Sequence, residues 1–259
     1  MTGIISQLNN SAMHMGAYTR QSLALTGSMT TMLFNSFKKI QKLETLLQEM
    51  YDIGFKSLPI VLLASIFIGF ISAWQVIYLG GDAFSMNYIG AAIIRVVLTE
   101  LGPTLLGLVL AGRISAKLAS EIGSMQVSEQ INAYKCLSLD PESYLIAPRV
   151  LTGFIMMPVL FIIGSIAAIV SSQVISSAYT GQDPIVYYNS MKLLYKNNDA
   201  VIGIMKSFFF GGTITLCGCY FGYHTTGGAL GVGASTRKAV VTASIIILVI
   251  NLFISQLLS

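Results

Sequence analysis

Five long apolar stretches alternate with shorter polar segments along the chain, at 58–79, 89–111, 150–175, 201–223 and 239–258. Each has the roughly 20 residues that a helix needs to cross about 30 Å of hydrocarbon. A single segment that crosses a bilayer satisfies its own backbone hydrogen bonds only as a helix. The pattern therefore predicts an all-α integral membrane protein with five transmembrane helices.

Apolar residues also recur at spacings of three, four and seven between Tyr18 and Ile40, ahead of the first stretch. This spacing predicts an amphipathic helix that lies in the membrane interface. The alternative for the same residues is a re-entrant segment. We divide the chain into an N-terminal region, 1–55, and a five-helix membrane domain, 56–259.

The composition agrees with a membrane protein. Of the 259 residues, 54% are hydrophobic and 10% are charged, whereas soluble domains carry about 25% charged residues. The net charge of +4 favours contact with anionic headgroups and not with nucleic acid. Cys217 and Cys219 would point about 160° apart on a helix, so we predict packing roles for them and no metal site.

Lysine and arginine are unevenly distributed between the two sides of the predicted membrane domain. One side has Arg20, Lys38, Lys39, Lys42, Lys56, Arg113, Lys117, Lys135, Arg149, Arg237 and Lys238, and the loops of the other have Lys192 and Lys196. By the positive-inside rule, the N-terminus is cytoplasmic and, after five crossings, the C-terminus is outside. On the outer side, Asp183 and Pro184 predict the start of a short helix over 184–195.

The cytoplasmic region 113–149 contains two short amphipathic pieces, and Asp140 and Pro141 then restart a helix. One interpretation is a docking element for a cytoplasmic partner. The other is a solvated helical hairpin that only fixes the topology.

An acid, Glu100, stands near the middle of the second apolar stretch, and Pro103 follows it closely. A carboxylate at this depth raises the free energy of membrane insertion by roughly 2.5 to 3.5 kcal/mol, so we expect it to have a function. Because Pro103 has no amide hydrogen for the carbonyl of Thr99, we expect a weakened helix at the acid. Glu100 has three candidate roles: a polar contact to a headgroup or a paired subunit, a protonation gate, or a structural acid bonded to freed backbone.

Catalytic motifs are missing from the sequence. It contains neither Gly-x-Ser-x-Gly nor His-Glu-x-x-His, which disfavours a lipid-modifying enzyme. The glycines of 227–233 are not followed by the lysine of a phosphate loop, and we interpret them as a tight turn or a close helix contact. We therefore predict no catalytic residue and no cofactor in this chain.

Several short strings together resemble the MlaE family of ABC transporter permeases. They cover most of the chain beyond about residue 55 and are Glu100-Leu-Gly-Pro103, Leu110-Ala-Gly-Arg113, Ala119-Ser-Glu-Ile-Gly123, Glu129-Gln130, Leu139-Asp-Pro141, Pro148-Arg149, Gly222-Tyr223, Gly227-Gly228-Ala229, Gly231-Val-Gly233 and the segment 236–241. Each string is weak alone, but their order and spacing are specific.

The resemblance implies a phospholipid permease of the bacterial inner membrane, which exchanges lipid with the outer envelope. It implies a homodimer, a cytoplasmic ATPase that binds ATP and magnesium, and a periplasmic protein with an MCE domain. Region 113–149 resembles the family's coupling helix between the second and third crossings. By position, the resemblance assigns ATPase docking to Arg113, Lys117, Glu121, Gly123, Glu129 and Gln130. Import of a sterol or another hydrophobic molecule by the same architecture remains an alternative.

For the lipid path we predict residues of the first two helices: Trp74, Tyr78, Leu79, Val97, Glu100, Leu101 and Pro103. The alternative for Trp74 and Tyr78 is an ordinary aromatic belt at the membrane interface. The chain departs from the family at Thr99, where arginine is common, and at Asn251, where aspartate is common. Arg95 lies about 140° around the helix from Glu100, so it does not replace that arginine within the same helix.

Overall fold

The chain is helical throughout the part that its computed structural model describes, residues 43–80, 88–195 and 197–258. These ranges contain no strand, and five of their helical segments are long and apolar enough to cross a membrane. The prediction of an all-α membrane protein with five transmembrane helices is confirmed. The interfacial helix predicted between Tyr18 and Ile40 lies outside the described residues.

The first two membrane spans are each built from several helical pieces. The first consists of α1 (Leu43–Ile53), a 3-10 turn (Phe55–Ser57) and α2 (Leu58–Gly80). The second consists of α3 (Ile89–Val96), a π-helical turn (Val97–Leu101), α4 (Gly102–Leu110), a second π-helical turn (Ala111–Ser115) and α5 (Ala116–Val127).

The rest of the chain contains a short tip helix, three further spans and one surface helix. The tip helix is α6 (Gln130–Cys136), and a π-helical turn (Glu142–Ile146) leads into the third span, α7 (Ala147–Thr180). The surface helix is α8 (Pro184–Leu194), and the fourth and fifth spans are α9 (Asn197–Tyr223) and α10 (Gly228–Leu258).

The second span continues well beyond its apolar stretch, which ends at residue 111. Its last part, α5, keeps an apolar stripe, and Leu118 and Ile122 on that stripe are fully buried. They pack against Gly218 and Gly222 of α9, where an added Cβ would lie 2.9 Å from each of them. Close packing on α9 therefore extends the helix into the polar region 113–149, whose second piece forms α6.

The third span packs between the first and the fourth, and small residues allow the close approach. A Cβ added at Gly211 of α9 would collide with the carbonyl oxygen of Gly153 on α7. One added at Gly69 of α2 would collide with Ala168 and Ser171 of α7. Small residues of this kind let helix backbones meet inside a membrane.

The surface helix α8 begins where the sequence predicts it. The side chain of Asp183 accepts a hydrogen bond of 3.1 Å from the amide of Ile185, and Pro184 occupies the first turn. Gly181, with a φ of 65°, ends α7 just before it. Because α8 packs on α3, it covers the start of the second span.

Candidate functional site

The helix of the second span opens at the predicted acid. Pro103 has no amide hydrogen, so the carbonyl of Thr99 lacks its normal helical partner. The backbone widens there into the π-helical turn Val97–Leu101, which contains Glu100. The predicted weak point is confirmed, and turns of this type often mark functional sites.

Lys206 of α9 occupies the opening that Pro103 creates. Its ammonium group donates to the carbonyl of Thr99 at 2.7 Å, to Oε1 of Glu100 at 2.9 Å and to the hydroxyl of Ser255 at 2.7 Å. The side chain has no exposed surface. A lysine has three N–H donors, so all three are used and this charge is both buried and paired.

Glu100 accepts further hydrogen bonds from the fifth span. Ser255 donates to its Oε1 at 2.8 Å, and the amide of Asn251 donates to its Oε2 at 3.3 Å. Three spans therefore meet at this carboxylate. Its side chain nevertheless keeps 45% of its surface exposed, so a ligand can reach the acid of this ion pair but not the lysine.

Glu100 also borders two cavities of opposite character. The first has a volume of about 310 Å³, is largely apolar, and is lined by Ser72, Gln75, Val76, Leu79, Ala92, Val96, Glu100 and Leu101. The second, the polar cavity, has about 210 Å³ and is lined mostly by polar residues, Arg95, Thr99, Glu100, Asn198, Asp199 and Ser255, together with Ile202 and Leu258. The carboxylate therefore stands where an apolar space meets a polar one.

Of the residues predicted for the lipid path, Leu79, Glu100 and Leu101 line the apolar cavity. Trp74 packs edge-on against Tyr179, with ring centroids 4.9 Å apart, and Tyr78 is exposed. Val97 and Pro103 are buried within the second span. Contact of any of these residues with lipid stays a prediction.

The six residues assigned to ATPase docking differ in how exposed they are. Glu129 and Gln130 are exposed at the turn between α5 and α6, and Glu129 has a φ of 60°. Arg113, Lys117 and Glu121 are half-buried, and the last two pair with each other at 3.5 Å.

Gly123, the sixth residue assigned to docking, is buried. A Cβ added to it would lie 2.9 Å from the hydroxyl oxygen of Thr225. The structure therefore gives Gly123 a role in internal packing and leaves no surface there for a partner.

Sequence reasoning missed the partner of Glu100. Lys206 was not singled out from the sequence, although a lysine inside an apolar stretch is itself a signal. The other cation nearby, Arg95, has its Nε 4.0 Å from Oδ2 of Asp199, so it contacts an acid of the fourth span. No group of three or more metal-ligating side chains occurs among the described residues.

The model of the permease MlaE family matches residues 46–257. This chain belongs to the MlaE permease family. A probable ABC transporter permease of Rickettsia conorii is 36% identical over 96% of this chain and 98% of its own length. A probable ABC transporter permease of Synechocystis is 36% identical over 82% of this chain and 81% of its own length.

A plant relative of the permease also matches. The chloroplast protein TRIGALACTOSYLDIACYLGLYCEROL 1 of Arabidopsis thaliana is 34% identical over 81% of this chain and 60% of its own length. Together with the five spans, these matches confirm the predicted family and make the chain a multi-pass permease subunit of the ABC transporter type.

Proposed function

We propose that this permease moves phospholipids between the inner membrane and the outer envelope of a bacterium. In this proposal a separate cytoplasmic ATPase supplies the energy, a second copy of the chain completes the path, and an MCE-domain protein exchanges lipid on the outer side. One observation carries the proposal: the half-exposed carboxylate of Glu100 borders both an apolar and a polar cavity.

An amphiphile fits that arrangement. An acyl chain suits the apolar cavity between the first two spans, and a headgroup suits the polar cavity with its acids and arginine. The apolar cavity, about 310 Å³, lies at the lower end of the range of about 300 to 1,000 Å³ for ligand pockets. The cavity of one copy therefore has room for only part of a phospholipid. This favours a lipid site that two copies of the chain form together. The name of the Arabidopsis relative contains that of a glycerolipid, which also favours a lipid substrate.

The positive-inside rule gives the orientation in this proposal. Arg113, Lys117 and Arg149 lie toward the end of the spans that carries α6, so this end and the N-terminus are cytoplasmic. The turns around α6 expose Val127, Glu129 and Leu137. We propose that the ATPase docks on this tip and that α8 faces the periplasm.

The substrate is tested by mass spectrometry of the lipid that co-purifies with the intact complex, followed by transport in vesicles. We expect bound phospholipid, and we expect Glu100→Gln to slow its ATP-driven transfer. Glutamine keeps an acceptor for Lys206 and removes the charge, so the complex should remain assembled. A sterol as the bound lipid, or normal transport by Glu100→Gln, would contradict the proposal.

Docking is tested separately with Glu129→Lys, which reverses an exposed charge at the tip. We expect this variant to lose the ATPase during purification or to lose lipid-stimulated ATP hydrolysis. Lys192→Glu, a charge reversal on the exposed surface of α8, is the matched control and should retain both. Full co-purification and hydrolysis by Glu129→Lys would rule out docking at this position.

A further inference from the structure

Six charged side chains form a second cluster at the end of the spans that carries α6. They are Glu49 and Asp52 of α1, Lys56 of the following turn, Lys117 and Glu121 of α5, and Arg149 of α7. Three acids and three bases give this cluster no net charge. Its ion pairs join three helices, α1, α5 and α7.

Arg149 is the buried member of the cluster. Its side chain is 9% exposed, its Nε donates to Oε1 of Glu49 at 2.9 Å, and its Nη2 lies 3.5 Å from Oε2 of Glu121. Its Nη1 is buried and has no hydrogen-bond partner among the described residues. A buried guanidinium needs good pairing to offset its lost hydration, so both acids are needed at this position.

Lys117 adds a second connection between α5 and α1 within the cluster. Lys117 donates to Oδ2 of Asp52 at 3.1 Å and lies 3.5 Å from Oε1 of Glu121. α5 is therefore tied to α1 directly through Lys117 and indirectly through Arg149. The direct tie is partly exposed at both ends, whereas the indirect tie has a buried centre, Arg149, and its contact with Glu49 is well shielded. Solvent and salt therefore weaken the direct tie more than the contact of Arg149 with Glu49.

The helix α1 leads directly into a wall of the apolar cavity. It passes through Gly54 and a single turn into α2, whose residues Ser72, Gln75, Val76 and Leu79 line the cavity. Gly54 is buried, and the end of the Met156 side chain of α7 occupies the position that a Cβ would take, so the joint between α1 and α2 packs against the third span. Only this short joint separates α1 from the helix that lines the cavity.

The other route from α5 to the cavity runs along the second span. α5 continues into α4 and α3, but two π-helical turns interrupt that helix, at Val97–Leu101 and Ala111–Ser115. Turns of this type are irregular hydrogen-bonding segments. The second span therefore reaches the cavity through two π-helical turns, and the first span reaches it through one 3-10 turn.

We propose that Arg149 is a positioning residue that makes the first span follow α5, because it holds Glu121 and Glu49 at once. This inference rests on the proposed function, in which the ATPase moves the α5–α6 tip. Without Arg149, the ATPase still docks and hydrolyses ATP, but α5 moves without α1 and the cavity does not change. Lys117 and Glu121 then serve the transmission of movement and not the docking itself.

The test uses the complete complex with its ATPase and compares Arg149→Gln with wild type. We expect normal co-purification of the ATPase, ATP hydrolysis close to wild type, and about tenfold less phospholipid moved per ATP, a typical size for coupling between sites. Lys192→Gln removes an exposed cation elsewhere and should leave the ratio unchanged. An unchanged ratio in Arg149→Gln, or loss of the ATPase from the complex, would overturn the proposal.

A second variant guards against misfolding. Glu49→Gln removes the acid and keeps the arginine, so it should lower the same ratio even if the Arg149→Gln permease fails to fold. The double variant Glu49→Gln with Arg149→Gln should be no worse than the more affected single variant, because both substitutions interrupt one link. Additive losses would show two independent roles and would overturn the proposal.

A structural readout separates this inference from the proposed function. Spin labels at Leu47 of α1 and Ser120 of α5, both exposed, report the distance between the two helices in a Cys136→Ser background. In wild type we expect the distance distribution within one copy of the chain to be the same with and without ATP and vanadate. In Arg149→Gln we expect the distribution to shift or broaden on nucleotide addition.

Different results would refute the proposed function and the link through Arg149. A wild-type complex that moves no phospholipid would refute the proposed function. Identical distance distributions in wild type and Arg149→Gln would refute the link through Arg149, whatever the substrate.

Discussion

Among its described residues, the permease buries one cation toward each end of its spans, and the two are paired in different ways. Lys206 has no exposed surface, and its ammonium group donates hydrogen bonds to three different acceptors. Its acid, Glu100, is 45% exposed and borders two cavities. Arg149 is also buried, but its acids lie on two other helices and one of its nitrogens is unpaired within the described chain.

The difference shows two uses of a buried ion pair. At the first site, the lysine fixes the position of a carboxylate that remains open to a ligand. At the second, the arginine lies between two helices and joins them. Removing one partner of a buried pair destabilises a protein strongly, so the two sites can be compared by removing one group from each.

The largest loss of stability is expected for Arg149→Ala, at about 3 kcal/mol of unfolding free energy, because both of its acids lose their buried partner. Chemical denaturation in detergent measures it, with the exposed Arg237→Ala as control. A loss below about 1 kcal/mol, the size typical of surface pairs, would contradict the description of Arg149 as a buried link.

A smaller loss, about 2 kcal/mol, is expected for Glu100→Ala, because it leaves the buried ammonium of Lys206 without its carboxylate. The backbone and Ser255 acceptors remain, which limits the cost. Adding Lys206→Met should recover part of the lost stability, because it removes the buried charge that Glu100→Ala leaves unpaired. A double variant as unstable as the sum of the two single variants would argue against direct pairing.

The helices that carry the two buried cations, α7 with Arg149 and α9 with Lys206, pack closely against each other. Gly211→Ala tests this contact. Its Cβ would collide with the backbone of Gly153, so we expect a loss of about 1 to 2 kcal/mol from overpacking. Gly233→Ala is the matched control, because nothing lies within 4 Å of a Cβ added there. Equal stabilities for the two variants would contradict the close contact of α7 and α9.

The smallest effect is expected for Lys117→Ala. Lys117 and Asp52 are both about one-third exposed, so the pair should contribute less than about 1 kcal/mol and weaken with added salt. The stability difference between wild type and variant, measured at low and high salt, checks this. A loss as large as that of Arg149→Ala would remove the distinction between the buried and exposed ties.

Local features of the sequence predicted much of this structure. The apolar stretches located the five spans, Asp183 and Pro184 located the start of α8, and Pro103 located the break at Glu100. Each of these depends on hydrogen bonding or hydrophobicity within a few residues. Short-range chemistry of this kind can be read directly from a single chain.

Features that depend on which helices meet were not predicted. Nothing near Glu100 in the sequence indicates that Lys206 and Ser255 approach it from two other spans. Apolar periodicity inside a membrane does not reveal the neighbours of a helix, because lipid and protein contacts are equally apolar. For the same reason, Gly123 was assigned to a docking surface although it packs against Thr225.

The most direct test of lipid binding between the first two spans is to fill the apolar cavity without substituting any residue of either ion cluster. Ala92 lines that cavity, and Val109 of the same span is exposed at its surface. In vesicles containing the complete complex, we predict that Ala92→Phe loses ATP-driven phospholipid transfer while Val109→Phe retains it. Normal transfer by Ala92→Phe would contradict a lipid path through this cavity.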